Sequence, residues 1–132
     1  MHWRELRGKV LLKGYTNEIL QKMSEASVFC LSSKFEGFGL VIVEAMSVGL
    51  PVVSYMCPCG PGDIVADGKD GFLIPMGNET LFAERICTLI EDEALRVEMG
   101  RNAFKSSERY QIDKIIEMWM SLFHQLRDKK LG

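Results

Sequence analysis

The hydrophobic pattern divides the chain into short unbroken apolar runs that alternate with stretches of helical spacing. Residues 9–13 (Lys-Val-Leu-Leu-Lys), ended by Gly14, predict a first buried strand. Thr16 is placed to cap a helix to about Ala26, with Ile19, Leu20, Met23 and Ala26 as its apolar face. Val28-Phe29-Cys30-Leu31 reads as a second strand. It leads through Ser33-Lys34-Phe35-Glu36-Gly37-Phe38 into an apolar helix over about 39–48, stopped by Gly49 with Pro51 two residues beyond. A third strand covers 51–55, with proline first, where a missing donor is tolerated. Residues 56–62 form a proline- and glycine-rich loop, 63–66 a single helical turn, 67–71 a turn by composition, and 72–75 a fourth strand. Asn78 caps a helix to about Glu91 built on Leu81, Phe82, Ile86, Leu89 and Ile90. Asp92 caps another through Leu95, Met99 and Phe104. A last helix, from about Asp113, carries Ile115, Ile116, Trp119, Leu122, Phe123 and Leu126 on one stripe, which reads as core packing.

Strands alternating with helices, each strand continuously apolar, predict an α/β fold: a parallel sheet of about four strands with helices on both faces, in one domain over 1–132. Ligands of such sheets lie outside the C-terminal ends of the strands. Three stretches fall at that edge: Gly14-Tyr15, residues 33–39 and residues 57–62.

Composition narrows the function classes. The 132 residues are 47% apolar and 26% charged, ordinary for one globular domain. A net charge of -2 gives no electrostatic case for nucleic acid or an anionic membrane. No apolar run approaches the ~20 residues of a membrane span, and the charged segment of residues 1–7 does not read as a signal peptide. Cys30, in a strand, and Cys87, in an amphipathic helix, read as small buried hydrophobes. Cys57-Pro58-Cys59 is a C-x-C, and with only His2 and His124 in the chain no zinc site is expected. Free cysteines point to a reducing, cytoplasmic setting.

The chemistry concentrates between Glu36 and Glu44. Gly37 and Gly39 let the backbone approach a ligand, and the free N–H groups of Gly39, Leu40 and Val41 at the helix start suit a diphosphate. Such glycine pairs are common, and on their own they favour a plain strand-to-helix turn. Glu36 is either a dipole-favourable residue near a helix N-terminus or an acceptor for sugar hydroxyls. Glu44 lies on a helix otherwise almost wholly apolar, so it either faces a polar cleft or has a dedicated partner. In a cleft it could accept both hydroxyls of a ribose diol. A glycosidase carboxylate pair lacks the rest of its site. His124, far in sequence from any serine or cysteine on a sharp turn, reads as a half-exposed helix residue rather than part of a Ser-His-Asp or Cys-His set.

The ordered set Ser33-x-x-Glu36-Gly37-Phe38-Gly39-Leu40-x-x-x-Glu44-Ala45-Met46, followed by Gly49-Leu50-Pro51-Val52-Val53, closely resembles the signature of retaining glycosyltransferases of the GT-B fold, glycosyl transferases group one or family four. Gly14-Tyr15, Asp67-Gly68, Gly71 to Pro75 and Met99-Gly100-x-Asn102-Ala103 extend the similarity over nearly the whole chain. The resemblance implies a Rossmann-like, partial C-terminal domain that binds the donor, in an enzyme moving a hexose from a nucleoside-diphosphate sugar to an acceptor with retention. It implies that Glu36 contacts the donor sugar, that Gly37, Phe38, Gly39 and Leu40 hold sugar and diphosphate, and that Glu44 binds the ribose. No residue of the stretch is assigned as catalytic, and no metal or resident cofactor is expected. Residues 57–61 (Cys-Pro-Cys-Gly-Pro) resemble bacterial enzymes that build surface polysaccharides, which fits a cytoplasmic enzyme or one peripheral to the inner face of the membrane.

The resemblance also implies absences. The N-terminal acceptor domain and the first two strand–helix units of the donor domain, with their basic phosphate ligands, are not matched by this chain; Lys34 is the nearest lysine to the turn. Two missing strands would lie between the 9–13 run and the Val28 strand, so the first strand either re-pairs with the second or leaves an open edge. Open apolar edges invite association. The chain alone is therefore expected to be marginal or self-associating, and a high-melting monodisperse monomer in solution contradicts this. A module that keeps the signature but only binds, and a phosphorylase of the same fold, are the other readings; no lysine suited to pyridoxal phosphate stands out for the latter.

Overall fold

The computed structural model describes residue 6 and residues 8–130; the rest of the 1–7 segment lies outside the described residues. Its elements in order are α1 (Ile19–Ser24), β1 (Phe29–Leu31), α2 (Leu40–Ser47), β2 (Val52–Tyr55), α3 (Pro61–Ile64), β3 (Gly71–Ile74), α4 (Glu79–Glu91), α5 (Glu93–Ser107), a 3-10 turn (Glu108–Tyr110) and α6 (Ile112–Lys130). The strands form one parallel sheet in the order β1-β2-β3. Phe29 stands beside Val52, and Val52 beside Gly71.

Helices cover both faces, as continuous apolar strands require. On one face Val52, Phe29, Leu31 and Leu73 pack with Ile42, Val43 and Met46 of α2 and with Ile64 and Val65. On the other, Val53, Phe72 and Ile74 pack against Leu89 of α4 and Met99 of α5. The caps act as the residue types dictate: Asn78 Oδ1 accepts from Leu81 N, and Asp92 Oδ1 from Leu95 N. Gly49 ends α2 at φ 80°. A Cβ on Gly100 would overlap the Gly49 carbonyl, so α5 lies directly on the end of α2.

The loop before β3 is fastened to α5. Asp70, only 1% exposed, accepts from Ala66 N at 2.8 Å and from Ser106 Oγ at 2.7 Å. Asn102 Nδ2 donates to the Lys69 carbonyl, and Asp67 Oδ1 accepts from Leu73 N.

Five expectations are corrected. The sheet has three strands rather than four, because residues 9–13 form no strand: Val10, Leu11 and Leu12 are exposed, with no neighbouring strand to take their hydrogen bonds. β1 is therefore left as an edge strand, as β3 is on the other side, and α1 shrinks to Ile19–Ser24, which buries Met23 but not Ile19 or Leu20. The stripe on α6 is not core: none of its residues is buried, since the helix leaves the body at the 3-10 turn. Cys30 and Cys87 are exposed, and Cys57 is the buried cysteine. Cys30 stands beside Val53 in the sheet, and burial by neighbouring atoms pushes its thiol pKa up although part of the residue stays exposed. Finally, Ile90 and Phe104 fall outside the buried faces of α4 and α5.

Candidate functional site

The site is built where β1 and β2 end. The chain leaves β1 after Leu31 and turns into α2 at Gly39, which adopts φ 87°, ψ 42° as the N-cap. That left-handed conformation suits glycine, and a Cβ there would press on Ile42 Cδ1 at 3.2 Å. Ile42 N–H donates to the Gly39 carbonyl at 2.8 Å. The N–H groups of Leu40 and Val41 have no partner among the described residues, and no side chain caps the helix. A helix end in this state favours an anion. Gly37 differs from Gly39: its φ is ordinary and nothing lies within 4 Å of a Cβ built on it. The left-handed backbone therefore favours glycine at 39, while at 37 the space is open.

The β2 loop closes on this turn from the other side. Gly60, at φ 87°, lies so near that a Cβ on it would sit 2.6 Å from the carbonyl carbon of Phe38. Gly60 also starts α3, its carbonyl accepting from Asp63 N and Ile64 N. The 33–39 and 57–62 stretches thus meet, as expected of the sheet's C-terminal edge. Gly14-Tyr15 does not join them: without a strand at 9–13 it is exposed and sits at no sheet edge.

Glu36 is half-buried just before the turn. Glu44 is half-buried on α2, where Leu40, Glu44 and Ser47 mark the open side and Ile42, Val43, Ala45 and Met46 the core side. Neither carboxylate forms a salt bridge or accepts a hydrogen bond among the described residues. Of the two alternatives for Glu44, a dedicated partner is excluded among those residues, and the carboxylate opens on solvent. Lys34 is exposed and unpaired among them. No group of three His, Cys, Asp or Glu that could hold a metal occurs among the described residues.

Two residues absent from the sequence reading complete the surroundings. Tyr110, in the 3-10 turn, meets the Phe38 ring edge-on with centroids 5.7 Å apart. Arg109 stacks 4.7 Å over the Tyr110 ring and donates from Nη2 to the Ile64 carbonyl at 2.6 Å and the Asp63 carbonyl at 3.2 Å. The aromatic at the break between two helical patterns was the available signal, but periodicity says nothing of which distant turn it meets.

Residues 1–106 match the model of the family described as Glycosyl transferases group 1. The chain belongs to that family. The poly(glycerol-phosphate) alpha-glucosyltransferase of Bacillus subtilis (strain 168) is 34% identical to it over 96% of this chain and 19% of its own length. The poly(ribitol-phosphate) alpha-N-acetylglucosaminyltransferase of Staphylococcus aureus (strain COL) is 34% identical over 92% and 25%. The crystal structure of Anabaena HepE in complex with UDP superposes with a TM-score of 0.86 at 31% identity, covering 92% of this chain and 34% of HepE. The fold is thus part of a GT-B glycosyltransferase, and the chain spans a quarter or less of the two curated relatives' length.

Proposed function

We propose that this chain is donor-binding sequence from a retaining glycosyltransferase that moves a hexose from a nucleoside-diphosphate sugar to a bacterial surface glycan. One observation carries the reading: the glycine turn, backed by Gly60, leaves the amides of Leu40 and Val41 free between Glu36 and the open face that holds Glu44. In the proposal Gly37, Phe38, Gly39 and Leu40 line the diphosphate and sugar, Glu36 accepts from sugar hydroxyls, and Glu44 accepts both ribose hydroxyls. The amides and the helix dipole stabilise charge on the departing diphosphate, a preorganised electrostatic effect. The nucleoside-diphosphate sugar is substrate, and no resident cofactor takes part. UDP bound to HepE supports a uridine donor.

Thermal melting of the chain with UDP, GDP and ADP tests this. One diphosphate raises the melting temperature, and Glu44→Ala weakens its affinity about 10- to 100-fold, the range for lost hydrogen bonds to a charged acceptor. Without ligand the variant stays within about 0.5 kcal/mol of wild type, because the side chain faces the open side of α2. If no diphosphate shifts the melting, the donor reading fails and a module that does not bind nucleotides replaces it. The chain alone transfers no sugar, because the acceptor wall and the basic phosphate ligands are proposed to lie in other sequence; turnover by this chain contradicts that part.

A further inference from the structure

The α5–α6 connection reaches back across the fold to the glycine turn, and nothing in the activity above requires it to. We propose that Tyr110 and Arg109 are positioning residues for the donor diphosphate, acting through Phe38; this rests on the donor reading given above. Phe38 lies between Gly37 and Gly39, two residues that leave the backbone of the turn soft. The residue is 47% exposed, and the edge-on contact with Tyr110 is its one aromatic contact among the described residues. The Gly60 backbone lies close against the carbonyl of Phe38, while Tyr110 meets the ring edge. With both held, the peptide that follows Phe38 has one orientation, and so do the amides of Leu40 and Val41 beyond it.

Tyr110 is itself held. The Arg109 guanidinium covers its face and binds the last carbonyls of α3. Gly60, α3, Arg109, Tyr110 and Phe38 therefore form one closed circuit around the turn. In this proposal Arg109 and Tyr110 act through Phe38 and not by contact with the ligand. They set where the donor amides point, and a group displaced by about 1 Å in such a site loses much of its effect.

The test uses the 15N-labelled chain and two readouts. Tyr110→Leu moves the amide resonances of Gly39 and Leu40 without ligand and weakens UDP binding about tenfold, the most that one aromatic edge contact supports. Tyr110→Phe keeps the ring edge and returns both to wild type. Arg109→Met gives a smaller shift in the same direction. Ser106→Ala, which loses a hydrogen bond to Asp70 away from the turn, lowers the melting temperature and leaves UDP affinity unchanged. If Tyr110→Leu leaves the Gly39 and Leu40 resonances in place, or if Ser106→Ala weakens UDP as much, the positioning role is overturned. If Tyr110→Leu moves those resonances but wild type binds no diphosphate, the hold on the turn stands and the donor reading fails.

Discussion

Gly60→Ala is expected to be the most damaging single substitution at the site. The position combines φ 87° with ψ -78°, a region open to little but glycine, and the added methyl would meet the Phe38 carbonyl rather than a yielding side chain. Backbone strain and overlap each cost about 1–3 kcal/mol, and here they act together. Urea unfolding is expected to show a loss of about 3 kcal/mol or more. A milder loss would mean that the turn has moved aside, and the Gly39 and Leu40 amides would then report it. Gly37→Ala is the contrast: with open space and an ordinary φ, it changes stability by about 0.5 kcal/mol or less. Any drop in nucleotide affinity in Gly37→Ala reports how near the ligand comes, since the fold does not need that glycine. Equal damage from both substitutions would show that the close approach of Gly60 to Phe38 is wrong.

Asp70→Ala is the second large effect, and it is confined to stability. The carboxylate is buried and satisfies the Ala66 amide and the Ser106 hydroxyl together. Its removal strands both donors and loosens the loop before β3 from α5. Hydrogen bonds to a charged acceptor contribute about 1.5–3 kcal/mol each, and orphaned donors add to the loss, so about 3 kcal/mol is expected. For a domain of this size that lowers the melting temperature by roughly 10 °C. Nucleotide affinity of the folded protein is expected to stay at the wild-type value, because the loop lies apart from the glycine turn. A fall in affinity with unchanged melting would make Asp70 part of the ligand site instead.

The order of strands and helices from Val28 onward was legible because those segments carry their own punctuation. Asn78 and Asp92 cap where their side chains can reach the third amide on, and Gly49 with Pro51 can only end a helix. The family was legible for a similar reason, since Glu36 to Pro51 preserves a spacing as well as a composition. Residues 9–13 and α6 misled for one shared cause. An apolar run states that a segment favours burial, but burial needs a partner surface, and for these two segments none is present among the described residues. Cys30 follows from the same gap, being apolar in its strand yet exposed on a strand at the edge of the sheet. Tyr110 and Arg109 were illegible for a different reason. Their importance lies in contacts with Phe38, Asp63 and Ile64, far away in sequence, and no local pattern encodes a meeting of that kind.

The 19 residues of α6, anchored at their first turn and with no buried residue, make the helix a lever. At 1.5 Å per residue it is about 28 Å long, so a rotation of about 10° at its base sweeps the far end through roughly 5 Å. The base is the short turn that carries Arg109 and Tyr110. Any swing of the helix is therefore largest at its tip and smallest at that turn.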